Sequence, residues 1–184
     1  MTASALAPRP RLDPRKFRDP NVTAKGERRA AVAFRGLRTL WFNTGTLCNL
    51  ACRNCYIEST PTNDRLVYLS AAEGRAYLDE IAREGLPTQE IGFTGGEPFM
   101  NPELPAMLED CLSCGFRVLV LTNAMKPMMK KRDALLALNA RHRDRLVIRV
   151  SIDHYTRDLH ELERGPRAWA PMFEGLMWLV RNGF

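Results

Sequence analysis

The sequence lacks any apolar run near the ~20 residues that a membrane-spanning helix needs. The short apolar stretch from Val118 to Leu121 has a length that suits a buried strand. A secretory signal is also missing, because the apolar residues 3–7 are too few and the positive charges follow them. We therefore predict a cytoplasmic protein without a membrane segment.

Cysteine is too sparse for a secreted disulfide scaffold, since only 5 occur among 184 residues. Three of them, Cys48, Cys52 and Cys55, nevertheless fall within eight residues, which indicates a metal or cluster site in a reducing compartment. Cys111 and Cys114 lie on a predicted helix, where packing is the favoured interpretation. The 3 histidines show no metal-ligand spacing among themselves.

Acidic residues are scarce only at the start of the chain. Residues 1–36 contain nine Lys/Arg and three Asp/Glu, which accounts for the whole net charge of +6, and residues 37–184 are neutral. A basic segment can bind nucleic acid or an acidic partner. We favour a solvated, flexible, Pro-rich leader over residues 1–36, so that nucleic-acid binding is not favoured, followed by a core domain over 37–184.

Short β-like runs alternate with longer helical ones along residues 37–184. This alternation predicts an α/β fold with a parallel sheet and right-handed crossovers, in about four β/α units. Ser70 and Glu73 form a capping box at the start of the first helix. The predicted strands cover 39–44, 90–94, 117–122 and 145–152, and the helices cover 70–84, 102–113, 130–142 and 167–182.

The cysteine loop reads C-x3-C-x2-C, from Cys48 to Cys55. Thiolates are the usual ligands of iron–sulfur clusters, and three of them leave one iron of a cubane open for a substrate or cofactor. A structural zinc site is the alternative. A structural zinc ion requires four protein ligands, however. The first histidine after Cys55 is His142, which lies far along the chain. The spacing alone leaves both sites open.

Glycine and polar residues follow the predicted strands. The Gly95-Gly96-Glu97 turn after the second strand allows a ligand to approach the backbone closely, with a carboxylate beside it. An ordinary strand-to-helix turn explains the same string. Asn123 follows the third strand, either as a pocket residue or as a turn residue.

The fourth strand has two different faces. Ile148, Val150 and Ile152 are predicted to pack against helices, while the opposite face carries Arg149 and, further on, Ser151 and Asp153. Polar groups inside a barrel-like sheet are costly unless they are solvated or paired, so this face predicts a ligand-lined cavity. An internal Arg149–Asp153 ion pair is the alternative.

The order of these motifs, over residues 38–184, resembles the radical S-adenosylmethionine (SAM) superfamily. Asn54 stands where the family often has an aromatic residue, and Ala124 stands where it often has glycine. The Glu163-Arg164-Gly165 string resembles the family's loop after strand four, where Arg164 contacts a ligand or lies at the surface. The resemblance implies a parallel β/α partial barrel, an incomplete TIM-like core.

It also implies an iron–sulfur oxidoreductase whose substrate is unknown. A 4Fe-4S cluster on the three loop cysteines cleaves SAM reductively to a 5′-deoxyadenosyl radical, which abstracts hydrogen from the substrate. An external one-electron reductant, flavodoxin- or ferredoxin-like, is the expected partner. Glu97 is expected to receive the SAM ammonium, Arg149 the carboxylate and Tyr56 the adenine. The implied SAM-binding residues are Gly95, Gly96, Glu97, Asn123, Arg149, Ser151, Asp153 and Tyr56.

Two other classes of function stay open. In the first, the chain is a non-catalytic structural module that binds zinc or an iron–sulfur cluster. In the second, it is an adaptor that binds nucleic acid through the basic leader. The family's core usually has six β/α units, so four units predict a chain truncated at the C-terminus, completed by further chain or by a partner subunit. The substrate stays open among peptide modification, cofactor synthesis and small-molecule tailoring.

Overall fold

The computed structural model describes residues 13–184 of the chain. It divides into two compact units, Met1–Arg35 and Gly36–Phe184. Within the first unit, an isolated antiparallel bridge joins Val22 to Arg28, and the described residues form turns around it. Residues 1–12 of the predicted leader lie outside the described residues, and the flexibility of the leader stays a prediction.

The second unit is built on a parallel sheet, as its sequence predicts. Among the described residues the sheet has four strands in the order β1-β2-β3-β4, so that consecutive strands are neighbours. The register pairs Asn43 of β1 with Thr94 of β2, so these two strands end together. The strands are β1 (Thr39–Asn43), β2 (Glu90–Thr94), β3 (Arg117–Thr122) and β4 (Leu146–Val150).

Six α-helices accompany the sheet in the described part of the second unit. They are α1 (Ala71–Arg83), α2 (Leu104–Ser113), α3 (Lys126–Met129), α4 (Arg132–His142), α5 (Arg157–Arg164) and α6 (Trp169–Arg181). Helix α2 packs against α1, α4 and β3, and α4 packs on β4, while α3 and α5 contact α6. A 3₁₀ turn, Pro98–Met100, follows the loop after β2.

The core forms where apolar side chains of the central strands meet the inner faces of the helices. Ile91 and Phe93 of β2 are completely buried, as is Leu108 of α2. Burying side chains of this size stabilises the fold by about 1.5–3 kcal/mol each. At the first helix, Ser70 accepts from the Glu73 backbone and Glu73 accepts from the Ser70 backbone, which confirms the capping box.

The structure corrects three details of the sequence prediction. Helices α3 and α5 were not predicted, and the third predicted helix, 130–142, corresponds to α4. On β4 the alternation is confirmed, because Ile148 and Val150 are partly buried and Arg149 is exposed. Ile152, predicted to pack against helices, is 43% exposed because it lies beyond the last residue of the strand. No helix in the described residues is long and apolar enough to cross a bilayer.

Candidate active site

The cysteine loop begins where β1 ends and is bound to the glycine turn after β2. The Gly96 N–H donates to Gly45 O at 2.8 Å, and the Glu97 N–H donates to Leu47 O at 3.0 Å. A Cβ on Gly96 would lie 2.1 Å from Leu47 O, so only glycine permits this approach. The two loops, predicted separately, therefore form one backbone unit.

All three loop cysteines are free thiols. The Cys48 side chain is buried, and its Sγ accepts from the Leu50 N–H at 3.4 Å. The Cys55 Sγ accepts from the Ser59 N–H at 3.3 Å. Hydrogen bonds of this kind stabilise thiolates and contribute to the reduction potential of a bound cluster.

Burial favours the protonated thiol of Cys48 and of Cys52 when no metal is bound. It raises the pKa of Cys48 to about 11, and it raises the pKa of Cys52 against the opposing effect of the Arg164 charge. Because metals bind the thiolate, cluster assembly must release these protons. No group of three or more His, Cys, Asp or Glu side chains within residues 13–184 is placed to hold a single metal ion. A cubane cluster has a different requirement, since each thiolate binds a separate iron.

The three cysteines share one cavity of about 310 Å³ with residues from the ends of β2, β3 and β4. Parallel strands present their carboxyl ends at one edge of a sheet, which is where α/β folds place ligands. Most of the predicted site residues are therefore brought together. The cavity is lined by Cys48, Cys52, Asn54, Cys55, Tyr56, Ser59, Thr94, Gly95, Gly96, Leu121, Thr122, Asn123, Ser151, Asp153 and Arg164.

Five cavity residues were not among the predicted site residues. Thr94 and Thr122 are the last residues of β2 and β3, a position that could have identified them. Asn54 was noted only as a departure from the family pattern. Ser59 gave no sequence signal, yet its Oγ is buried and has no hydrogen-bond partner within the described residues. The fifth is Leu121.

Glu97 does not line the cavity, and its role as a direct ligand of SAM stays a prediction. Its side chain is 2% exposed. Oε1 accepts from Thr122 Oγ1 at 2.8 Å and from the Phe99 N–H at 3.2 Å, and Oε2 accepts from the Asn123 N–H at 2.8 Å. The carboxylate therefore holds the end of β3 against the turn after β2, because its lone pairs already have internal donors.

Burial raises the pKa of Glu97 to about 7, although the hydrogen bonds from Asn123, Thr122 and Phe99 favour the ionised form. Because the folded-state pKa lies above the unfolded value of 4.5, the stability contributed by this carboxyl is complete below pH 4.5. This contribution to the free energy of unfolding is lost as the pH rises through the folded-state pKa of about 7, and the total loss is about 3 kcal/mol.

We expect this dependence to disappear in Glu97→Gln. The difference in unfolding free energy between the metal-free wild type and the variant, measured in urea from pH 5 to 8, should shrink as the pH rises. The amide destabilises the variant by a constant amount, because its NH₂ faces donors. Parallel pH curves for the two proteins would contradict the raised pKa.

Arg149 was predicted to bind the SAM carboxylate or to pair with Asp153, and the structure supports neither contact. Its side chain is exposed and lies outside the set that lines the cavity. Asp153 instead pairs with Arg164, with Nε–Oδ2 at 2.6 Å and Nη2–Oδ1 at 3.2 Å. Helix α5 is the reason, because its last turn brings Arg164 back over the end of β4.

Asn123 connects the end of β3 to the cysteine loop. Its Nδ2 donates to Asn49 Oδ1 at 2.9 Å and lies 3.9 Å from Cys48 Sγ. The next residue, Ala124, has φ of 58°, a left-handed conformation that disfavours a side chain. Ala124 thus adopts the left-handed backbone conformation that glycine, the usual residue of the family pattern, adopts easily.

The donor set of the cavity fits a 4Fe-4S cluster with SAM. Three free thiols lie together, and two of the sulfurs already accept backbone N–H groups. The cavity continues past the glycine backbone to a carboxylate–guanidinium pair. These are the groups that the two charges of an amino acid require.

The comparisons with known proteins give the family. The family model of the Radical SAM superfamily matches residues 42–184. Over 118 residues, 64% of this chain, the sequence is 31% identical to the antilisterial bacteriocin subtilosin biosynthesis protein AlbA of Bacillus subtilis. Over 137 residues, 74% of this chain, it is 29% identical to an AdoMet-dependent heme synthase of Oleidesulfovibrio alaskensis.

Among solved structures, Streptococcus suis SuiB bound to S-adenosylmethionine matches 79% of this chain with a TM-score of 0.63 and 17% identity, which supports the fold alone. The chain spans 25% of AlbA, 33% of the heme synthase and 32% of SuiB. The fold is thus the partial TIM-like core predicted from sequence. Because the family model matches most of the chain, this protein belongs to the radical SAM superfamily, whose members use a 4Fe-4S cluster and S-adenosylmethionine.

Proposed function

We propose that this chain forms the cluster- and SAM-binding part of a radical SAM enzyme that acts on an as yet unassigned substrate. The observation that carries the proposal is the single cavity shared by three free cysteines, the glycine turn and the Asp153–Arg164 pair. Family membership favours this function over a zinc module or a nucleic-acid adaptor. When bound, the cluster and SAM supply one-electron cleavage of the sulfonium C–S bond and hydrogen abstraction by the adenosyl fragment.

The residues of the chain bind and orient these groups. Cys48, Cys52 and Cys55 would each bind one iron of the cluster and would leave the fourth iron open to SAM. The backbone of Gly95 and Gly96 approaches the amino-acid part of SAM closely, since no side chain intervenes. Glu97 acts indirectly, by fixing this turn against β3.

Arg164 is the group that we assign to the SAM carboxylate, in place of Arg149. Nε and one Nη2 hydrogen of its guanidinium bind Asp153. A guanidinium has five N–H donors in a fixed plane, so further donors remain for a second carboxylate. Asp153 in turn offers its charge to the SAM ammonium, and Tyr56, 82% exposed at the rim, closes over the adenine.

The test compares Arg164→Lys with the wild type after anaerobic cluster reconstitution. We expect SAM affinity to fall ten- to a hundredfold, because losing a charge-assisted hydrogen bond costs about 1.5–3 kcal/mol, and lysine lacks the planar fork. Isothermal titration calorimetry measures the affinity, and 5′-deoxyadenosine and methionine formed with a strong reductant report SAM cleavage.

Arg157→Lys is the matched control, because Arg157 lies on the same helix and pairs with Glu161 at the surface. Its SAM affinity should equal that of the wild type. Equal affinity in the Arg164 variant would reject the assignment of the carboxylate site. Zinc without iron or labile sulfide in the wild type, and no SAM cleavage, would reject the proposed function itself.

A further inference from the structure

A second cavity, of about 480 Å³, is lined in part by Asn49 of the cysteine loop. We call it the lysine groove. Its other lining residues are apolar side chains and three lysines. The residues that line it are Asn49, Phe99, Met100, Pro102, Lys126, Pro127, Lys130 and Lys131.

The charge of this groove is not neutralised by its surroundings. Lys126 and Lys130 are exposed, Lys131 is partly buried, and none of the three belongs to an ion pair within residues 13–184. Lys126 and Lys130 are four residues apart, a spacing at which like charges repel by a few tenths of a kcal/mol. Such an arrangement attracts an acidic ligand or partner.

Asn49 connects the groove to the cluster site. Asn49 lines the groove and directly follows the cluster ligand Cys48. Its Oδ1 accepts from Asn123, which lines the first cavity. The two cavities share no lining residue. Asn49 of the cysteine loop therefore lines the groove and is hydrogen-bonded to a residue that lines the cluster cavity.

This separation distinguishes between two kinds of occupant. A substrate must bring its reacting hydrogen into contact with the adenosyl group, which requires the first cavity. A groove with no lining residue in common with that cavity does not provide this contact. An electron needs no such contact, because it can pass through the protein between a docked donor and the cluster, and Asn49 in the groove is the neighbour of the ligand Cys48. The geometry thus favours an electron donor over a substrate.

We propose that the lysine groove is the docking surface of an acidic, one-electron carrier protein, an inference that rests on the proposed function. One electron leaves the reduced carrier, which is oxidised, and enters the oxidised cluster held by the cysteine loop, with no atom transferred. An apolar centre with a charged rim matches the anatomy of protein interfaces.

The experiment measures cluster reduction by stopped-flow absorbance in the anaerobically reconstituted chain. A reduced 2Fe-2S ferredoxin of net negative charge is one donor, and the methyl viologen radical, a small cation, is the other. In Lys126→Gln/Lys130→Gln we expect the second-order rate with ferredoxin to fall about tenfold at low salt, because electrostatic steering is weakened. The difference between the ferredoxin rates of the wild type and the variant should become smaller at high salt. The rate of reduction by methyl viologen should be the same in both proteins.

Arg38→Gln/Arg117→Gln removes the same charge at the opposite, amino-terminal edge of the sheet, and should leave both rates unchanged. The affinity of oxidised ferredoxin, titrated on the same samples, should fall only in the lysine variant. Equal ferredoxin rates in the lysine variant and the wild type, or equal losses in both variants, would overturn the docking surface.

Two further measurements keep the outcomes separate. Saturable binding of octanoate in the groove, with ferredoxin reduction unaffected by the lysine changes, would assign the groove to a small anion and overturn the proposal. Iron content and SAM affinity report on the proposed function independently. If a lysine variant keeps its iron content and its SAM affinity, yet is reduced by ferredoxin at the wild-type rate, the docking surface is rejected and the proposed function is not.

Discussion

Replacing any one of Cys48, Cys52 and Cys55 with alanine is expected to abolish the iron–sulfur cluster. Each thiolate binds a different iron, so the loss of one leaves a cubane without a protein ligand at a second iron. The three side chains line the same cavity, and the other two cysteines of the chain do not. Iron and labile sulfide per chain, together with the visible absorbance, measure the loss.

The remaining cysteines supply the controls. Cys114 is exposed at the end of α2, so Cys114→Ala should retain the full cluster and the stability of the wild type. Cys111 is 1% exposed in the core, where packing was predicted for both residues. Cys111→Ala should lose some stability to a small cavity but keep its iron. A cluster that survives Cys48→Ala and is lost in Cys111→Ala would contradict the assigned ligands.

A second large effect is expected from Gly96→Ala. The new Cβ would meet the Leu47 carbonyl, and a backbone oxygen cannot move aside as a flexible side chain can. We expect a loss of about 3 kcal/mol or more in unfolding free energy. We also expect a sharp drop in cluster content, because Leu47 immediately precedes Cys48. Urea unfolding and iron analysis measure the two effects.

Gly85→Ala separates this collision from the ordinary cost of replacing glycine. Gly85 follows α1 at φ of 58°, and a Cβ there would meet no atom within 4 Å. The left-handed backbone should cost ~1–2 kcal/mol, without affecting the cluster. If the two variants lose the same stability and both keep the cluster, the close approach of the loops is not essential to the site.

Sequence patterns were sufficient where the signal is local. The bounds of β2 and β3 were predicted to the residue, because each is a short apolar run ended by a turn residue. Helix α5 was missed because its burial opposes its composition. Leu159 and Leu162 are 47% and 52% exposed, while His160 is completely buried. Periodicity assumes that apolar residues face inward, and this helix does not follow that assumption.

The sequence by itself determined the cysteine loop, the glycine turn and their order along a parallel sheet, because spacing and strand order place such residues at one edge. Only the tertiary structure decided which charged groups face the cavity. The carboxylate of Glu97 is occupied by donors 25 and 26 residues further along the chain, and Asp153 is paired across a helix with Arg164. Contacts of this kind depend on how separate elements pack, which no local pattern of residues specifies.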